Sequence, residues 1–128
     1  MLTGGRRQNA TPEPTVLADV SPELEVCCKE VFGPVVVLHT YRHLQDAIAA
    51  VNAGEYGLQA GICTRDIGKA FEAARQQLRV GGVIVNDVPA YRADHMPYGG
   101  VKKSGIGREG PHLSVEEMTE LKLICWRG

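Results

Sequence analysis

The chain has 128 residues, of which 44% are hydrophobic and 23% charged, and its formal net charge is −1. These values are ordinary for one modest globular domain, and the balanced charge excludes a strong attraction to nucleic acid or another polyanion. No apolar run approaches the roughly 20 residues that cross a membrane, and the polar start MLTGGRRQNATPEP lacks the apolar centre of a signal peptide, so we expect a cytoplasmic protein without nucleic-acid or membrane partners.

The first half of the chain predicts an extended lead-in followed by a strand and a helix. Residues 1–24 are rich in Gly, Pro and polar side chains, with Thr15–Leu17 as a short strand candidate. The β-branched run Val35–Tyr41 is typical of a strand covered on both faces. A helix follows, because four apolar residues recur at helical spacing before the turn residues 52–54. These four are Leu44, Ala47, Ile48 and Val51.

The next part of the chain predicts two further strands around a second helix. Leu58–Cys63 is the first strand candidate, Asp66 can cap the helix, and Val83–Val85 is the second strand. The helix is indicated by apolar residues at helical spacing, namely Ile67, Ala70, Phe71, Ala74 and Leu78. The order strand, helix, strand, helix, strand favours an α/β fold, with a partial parallel sheet joined by crossover helices (βαβαβ).

The last part of the chain predicts a long irregular loop, a short helix and a final strand. Ser114–Glu117 has the form of a capping box that opens the helix. Leu121–Trp126 is the strand candidate, with one wholly apolar face. A parallel sheet of three strands has two open edges and the lead-in has no core of its own, so we expect part of a larger fold.

No active site can be assembled from the residues alone. The cysteines show neither a C-x-x-C spacing nor a nearby histidine pair, which argues against zinc, and in a reducing compartment we expect free thiols. They are Cys27, Cys28, Cys63 and Cys125. Cys27 and Cys28 precede Lys29, and a neighbouring cation can activate a thiol. No spacing implies a base beside them, so a packing role is the better interpretation.

The segment Gly105–Gly110 reads G-x-G-x-x-G, the pattern of a dinucleotide-binding loop. That motif needs a strand before it and a helix after it, whereas Pro97 and paired glycines make the preceding segment a loop. The acidic residue expected about 20 residues further on would lie beyond Gly128. A small nucleotide-binding protein that uses loop 99–110 therefore remains only a third alternative.

Three segments in register resemble the aldehyde dehydrogenase superfamily. Lys29–Val35 resembles its E-x-F-G-P-V segment, and Asn52–Leu58 is similar to its N-x-x-x-Y-G-L turn. Pro97–Glu109 resembles its P-F-G-G-x-K-x-S-G-x-G-R-E signature, and Gly82–Asn86 fits the strand expected before that signature. The resemblance covers essentially the whole chain, and it places the Gly-rich stretch in the signature rather than in a dinucleotide-binding loop.

The resemblance implies a chemistry that this chain does not hold by itself. Family members oxidise aldehydes to carboxylic acids with NAD or NADP, through a thiohemiacetal on a cysteine. Their nucleophilic cysteine, glutamate base and dinucleotide-binding domain all precede the E-x-F-G-P-V segment. We therefore expect no catalytic residue, no metal site and no tightly bound cofactor in the chain alone.

Four positions carry over from the family. Glu30 matches the glutamate that accepts hydrogen bonds from the nicotinamide ribose, since a carboxylate suits two vicinal hydroxyls. Phe32 matches the aromatic residue that packs near the nicotinamide. Asn86 and the loop to Tyr98 match the wall of the substrate tunnel, where family members often carry phenylalanine in place of Tyr98.

The resemblance thus implies the C-terminal portion of an aldehyde dehydrogenase catalytic domain, inactive alone. Residues 1–24 are the lead-in, 25–120 the α/β portion, and 121–128 the terminal strand that in the family joins a neighbouring subunit's sheet. The expected partners are an aldehyde in the complete enzyme and further protein, either a second copy or the missing part. The alternative is a catalytically inactive truncated subunit or association module. The aldehyde, and the choice between NAD and NADP, stay open.

Overall fold

In the computed structural model, which describes all residues from 1 to 128, the chain forms two units, Met1–Ala47 and Ile48–Gly128. The longest helix, α2, has ten residues, Leu44–Ala53, and includes the division between the two units. No helix of the chain is both long enough and apolar enough to cross a membrane.

The first unit consists of short strands and one helical turn. Antiparallel β1 and β2 are followed by β3, α1 and β4, and β3 pairs with β4 in parallel. The bounds are Arg7–Gln8 for β1, Thr11–Pro12 for β2, Thr15–Ala18 for β3, Glu25–Cys28 for α1 and Val35–Leu38 for β4.

The β3–β4 ladder confirms two strand predictions and corrects one prediction of burial. The strand expected at Thr15–Leu17 forms and ends one residue later, at Ala18, while the strand expected from Val35 ends at Leu38. Val36 and Leu38 are about half exposed, so the prediction that both faces are covered is wrong for this unit. The sequence did not separate the two cases, because β-branched residues favour a strand whether one face or both are buried.

The second unit contains a parallel strand–helix–strand crossover. After α2 come β5, β6, α3, a π-helical turn, β7, β8 and α4; β6 pairs with β7 in parallel, and β5 pairs with β8 in antiparallel fashion. The bounds are Tyr56–Gly57 for β5, Gln59–Ile62 for β6, Ile67–Glu72 for α3, Ala73–Gln77 for the π-helical turn, Gly82–Val85 for β7, Val101–Lys102 for β8 and Pro111–Glu117 for α4.

The predicted α/β class is confirmed, and the strand pairing is more divided than the sequence suggested. The expected order of strands and helices is present, but the parallel strands form two ladders, β3–β4 and β6–β7, instead of one sheet of three strands. Hydrophobic periodicity identifies a strand without naming its neighbour. Here a strand of the lead-in, β3, is the hydrogen-bonded neighbour of β4.

The buried core lies in the second unit and is small. Its members are Ile48, Ala70, Ala73 and Ile84. Two residues of the apolar face from which the helix was predicted, Ile67 and Phe71, are 70% and 59% exposed. A ladder of only two strands covers a narrow part of the helix, which leaves the rest of the apolar face without a neighbour.

The helix starts test two capping predictions. The Oδ1 atom of Asp66 accepts a hydrogen bond from the Lys69 amide at 3.1 Å, which confirms Asp66 as the N-cap of α3. The capping box predicted at Ser114–Glu117 is wrong, because α4 begins three residues earlier, at Pro111. Proline is favoured at the first helical position, where its missing N–H costs nothing, and Ser114 then lies inside the helix.

The end of the chain has no regular structure. Residues 119–128 belong to no helix or strand, so the strand predicted at Leu121–Trp126 does not form in the single chain. A strand needs a neighbour to take its backbone hydrogen bonds, and none lies beside this segment. Leu121 and Trp126 are almost fully exposed. Pairing of the segment with another subunit stays a prediction.

Candidate functional site

Glu30 and Phe32 lie in the exposed loop that follows α1. Lys29 pairs with Glu25, one helical turn earlier, at 2.5 Å, and not with the adjacent Glu30. Glu30 is exposed, and the Phe32 ring is 94% exposed. A phenylalanine with so little cover presents an apolar surface that a planar ligand can occupy. The loop thus offers a carboxylate and an aromatic face two residues apart.

The two adjacent cysteines have contacts that the sequence did not predict. The Sγ atom of Cys27 lies 3.8 Å from Nε2 of His39, and Cys28 Sγ donates to the Pro22 carbonyl at 3.0 Å. The expectation that no base lies near these thiols is therefore wrong for Cys27, since twelve residues of chain return His39 to its side. For a sulfur atom this separation is a long hydrogen bond. All four cysteines are free.

Asn86 ends β7 in a left-handed backbone conformation, with a φ of 60°. Asparagine adopts this region more readily than most residues. The side-chain Oδ1 of Asn86 accepts from the Thr64 backbone amide at 2.8 Å, and the Asn86 backbone amide donates to the Ile62 carbonyl at 2.8 Å. Asn86 therefore joins the carboxyl ends of β6 and β7, the edge of a parallel ladder where ligands bind most often.

The signature loop, Pro97–Glu109, is held by hydrogen bonds within the loop. Tyr98 and Glu109 exchange two backbone hydrogen bonds, of 2.9 and 2.6 Å. The Arg108 guanidinium donates through Nη1 to the carbonyls of Gly100 and Gly107, at 2.8 and 2.7 Å. These hydrogen bonds, formed within the loop, stabilise its conformation.

Close approach of the backbone explains why glycines recur here. A Cβ atom on Gly81 would lie 1.7 Å from the Gly99 carbonyl oxygen, and one on Gly100 would lie 2.4 Å from the Ser104 Cβ. Ser104 in turn accepts a hydrogen bond from the Gly57 amide at 2.8 Å. The glycines thus allow strand β5, the turn before β7 and the signature loop to meet.

A cavity of about 260 Å³ lies within the signature loop. Its lining includes Tyr98, Ser104, Arg108, Glu109 and Glu117. The lining carries two carboxylates and one guanidinium, and that guanidinium already donates to two carbonyls. This charge balance does not favour a polyphosphate. This lining therefore gives no support to nucleotide binding by loop 99–110.

Arg92 lies beside the same loop and was not among the predicted site residues. Its guanidinium carbon is 4.2 Å from the centroid of the Tyr98 ring, and its Nη2 donates to Glu109 Oε2 at 3.1 Å. The arginine side chain is 46% exposed. One signal was available: Arg92 is the only lysine or arginine between Arg79 and Lys102.

The comparison with known protein families decides the relationship. A model described as the aldehyde dehydrogenase family matches residues 1–124. The chain belongs to the aldehyde dehydrogenase family. This confirms the resemblance found in its three motifs.

Two curated relatives of this aldehyde dehydrogenase family member are close in sequence. A 3-sulfolactaldehyde dehydrogenase from Priestia aryabhattai is 53% identical over 121 residues, which are 94% of this chain and 25% of the relative. A lactaldehyde dehydrogenase from Methanococcus maripaludis (strain C7) is 43% identical over 124 residues, which are 97% of this chain and 26% of the relative. The chain therefore spans about a quarter of the length of these relatives.

Two solved aldehyde dehydrogenase structures share the fold. Aldehyde dehydrogenase 21 from Physcomitrella patens, in complex with the reaction product succinate, is 50% identical with a TM-score of 0.88; the match covers 93% of this chain and 24% of that one. Glyceraldehyde-3-phosphate dehydrogenase from Methanocaldococcus jannaschii, complexed with NADP, is 43% identical with a TM-score of 0.84; the match covers 94% and 26%. The α/β class is thus also that of solved family members.

The four predicted positions fall in two groups in this aldehyde dehydrogenase chain. Glu30 and Phe32 belong to the first unit, and Asn86 and Tyr98 to the second. The carboxyl edge of β6 and β7 positions Asn86, and the Tyr98–Glu109 backbone pair positions Tyr98. Their roles toward cofactor and substrate stay predictions.

Proposed function

We propose that the chain supplies part of the cofactor and substrate sites of an NAD(P)-dependent aldehyde dehydrogenase that oxidises a short aldehyde to a carboxylic acid. The observation that carries this proposal is the family match over residues 1–124, with all three motifs in register. The nucleophilic cysteine and the base would come from protein outside this chain.

The residues of the first unit fit the cofactor. The Glu30 carboxylate is an acceptor-only group that suits the two ribose hydroxyls, and the exposed Phe32 ring suits one face of the nicotinamide. When bound, NAD(P) supplies the hydride acceptor for the oxidation. In this proposal Glu30 fixes the ribose and Phe32 limits the movement of the nicotinamide ring.

The residues of the second unit fit a wall of the substrate site. Asn86 uses its Oδ1 on Thr64, which leaves the Nδ2 donor pair for a polar substrate group or water. Tyr98 differs from the usual phenylalanine of the family by a hydroxyl, which adds one donor and one acceptor to the wall. The names of the relatives, 3-sulfolactaldehyde and lactaldehyde dehydrogenase, support a short aliphatic aldehyde as substrate.

The proposal is tested with a grafted enzyme, in which this chain replaces the matching quarter of the Priestia aryabhattai relative. We expect the graft to form NADH or NADPH from 3-sulfolactaldehyde or lactaldehyde, followed by absorbance. A graft that is soluble, folded and inactive with every aldehyde, while the intact relative is active, would contradict the proposal.

The exposed end of the chain favours a second candidate function, that of an association module. Residues 121–126 present apolar side chains without a covering partner, which favours pairing with a second copy of the chain or with a larger subunit.

The free state of all four cysteines supports a reducing compartment, so we keep the cytoplasm as the proposed location.

A further inference from the structure

Cys27 and His39 lie on either side of the loop that carries Glu30 and Phe32. Cys27 belongs to α1, His39 directly follows β4, and residues 29–34 form the loop between these two elements. The contact of 3.8 Å between Cys27 Sγ and His39 Nε2 therefore joins the element before the loop to the element after it. A change at the sulfur acts on both ends of the loop.

The imidazole distinguishes Cys27 from the adjacent Cys28. A base beside a thiol takes its proton and leaves the thiolate, which is the form that attacks other sulfur atoms. Cys28 is exposed, but its Sγ donates to the Pro22 carbonyl at 3.0 Å, and a carbonyl keeps the proton on the sulfur. Cys27 is half-buried and His39 is exposed, so a reagent can reach the pair from the solvent.

We propose that Cys27 is a site of reversible modification by a low-molecular-weight disulfide, with His39 as the base. The proton of the Cys27 thiol passes to Nε2 of His39, and the thiolate attacks one sulfur atom of the disulfide. A new S–S bond forms as the old one breaks, so the Cys27 sulfur is oxidised and the departing sulfur is reduced. The departing thiolate takes the proton from the imidazolium, which leaves a mixed disulfide on Cys27 and one free small thiol.

The modification changes the loop that carries Glu30 and Phe32. The group attached to Cys27 takes the place of the imidazole at the sulfur, so the contact that joins α1 to the end of β4 is lost. Glu30 lies only three residues after Cys27, and we expect the modified protein to bind NAD(P)H more weakly. This consequence rests on the proposed function, which assigns Glu30 and Phe32 to the cofactor, whereas the reactivity of Cys27 does not rest on it.

The reactivity is tested on the chain itself, with oxidised glutathione as the probe. Mass spectrometry of proteolytic fragments, sequenced to separate Cys27 from Cys28, gives the rate of modification at each cysteine. We expect Cys27 to react faster than Cys28 although it is less exposed. His39→Gln should lower the Cys27 rate by about tenfold, because a thiol without a base is only a few per cent ionised near pH 7. His43→Gln, at another exposed histidine, is the matched control and should leave that rate unchanged.

Equal rates at Cys27 and Cys28, or a Cys27 rate that His39→Gln leaves unchanged, would overturn the inference. The comparison of the two cysteines needs no substitution, so it decides the point even if a variant fails to fold.

The effect on the loop is tested by calorimetric binding of NADH and NADPH to the grafted enzyme, which needs no turnover. Treatment with oxidised glutathione should raise the Kd severalfold, and dithiothreitol should restore it. Cysteines outside this chain react as well, so the treated Cys27→Ser graft is the control and should keep the lower Kd. An equal rise in both grafts would overturn the link between Cys27 and the loop. A graft that binds no cofactor before treatment would count against the proposed function instead, and the rates measured on the chain would still decide the reactivity of Cys27.

Discussion

Gly81 shows how a single missing side chain shapes the site. Its α-carbon faces the Gly99 carbonyl, and an added Cβ would lie 1.7 Å from that oxygen, so a backbone must move. We expect Gly81→Ala to destabilise the chain by about 1–3 kcal/mol or more, the range for an overpacked position. Thermal unfolding followed by circular dichroism measures the change.

Gly33→Ala is the control for this substitution, because an added Cβ there meets nothing within 4 Å. The melting temperature of this variant should stay close to that of the parent chain. If Gly81→Ala melted no lower than Gly33→Ala, the close approach of the signature loop to the start of β7 would be wrong.

Glu30 is the residue whose proposed role is most directly measurable. In the grafted enzyme, Glu30→Gln should raise the cofactor KM or slow hydride transfer, since a hydrogen bond to a charged group contributes about 1.5–3 kcal/mol. Steady-state kinetics and a deuterated aldehyde report the two effects. Glu25→Gln, which removes an exposed carboxylate of the same loop region, should leave both quantities unchanged. Equal kinetics in the two variants would remove Glu30 from the cofactor site.

At the scale of elements, we expect the start of α3 to depend on pH. The Lys69 backbone amide donates to the Asp66 carboxylate and, with smaller help from the Lys69 charge, holds the pKa of Asp66 below its ordinary value. Because the pKa of Asp66 is lower in the folded than in the unfolded chain, its ionised carboxylate stabilises the helix at pH values above the unfolded pKa. This contribution is lost as the pH falls through the lower, folded pKa. We expect the protection factor of the Lys69 amide, the unfolded-chain exchange rate divided by the observed rate at the same pH, to fall as the pH falls through that range.

Asp66→Asn isolates the charge from the cap. Asparagine caps a helix about as well as aspartate but does not titrate, so its Lys69 amide should show no such acid transition. Hydrogen exchange measured by NMR over acidic pH compares the two proteins. The same acid transition in both would show that the Asp66 carboxylate does not control the helix start.

The helix starts also show how far local sequence determines structure. Asp66 was predicted correctly because its carboxylate acts on an amide three residues away. Ser114 was not, because Gly110 and Pro111 set the helix start earlier with stronger backbone preferences. Strand positions were predictable for the same local reason. The pairing of β4 with β3 was not, since it joins residues about 20 positions apart and depends on which strand lies nearest.

The candidate site could be predicted only where a motif names a residue. Glu30, Phe32, Asn86 and Tyr98 came from the family resemblance, since no property of their own sequence neighbourhood marks them. Arg92 lies in no motif. Its contacts with Tyr98 and Glu109, which are six and 17 residues away in the sequence, form only in the folded chain. Contacts of this kind are tertiary and leave no periodic signal.

At the scale of the whole molecule, we expect the isolated chain to have no aldehyde dehydrogenase activity. The chain spans about a quarter of the length of its curated relatives, and Cys28 donates to a carbonyl instead of facing a base. A panel of aldehydes with NAD and NADP should give no reduced cofactor above the rate without protein. Activity that disappears in Cys28→Ser would contradict this and make Cys28 a nucleophile.

The second prediction at this scale concerns association. The apolar side chains of residues 121–126 are exposed, and their backbone groups have no partner in the chain. We expect the isolated chain to self-associate, and deletion of residues 121–128 to shift the mass measured by light scattering towards the monomer. Deletion of 127–128 alone retains the apolar segment and should retain association. If the undeleted chain is a monodisperse monomer, the prediction of self-association is wrong.

The exposed end of the chain also carries an intrinsic fluorescence probe. Trp126 is the only tryptophan, and 90% of its surface is accessible in the single chain. An indole in water emits at longer wavelength than an indole in an apolar contact, so docking of the last residues should shift the emission to the blue and protect it from a dissolved quencher such as acrylamide. The state of the final segment can therefore be followed in solution without a label, as protein concentration or a candidate partner is varied.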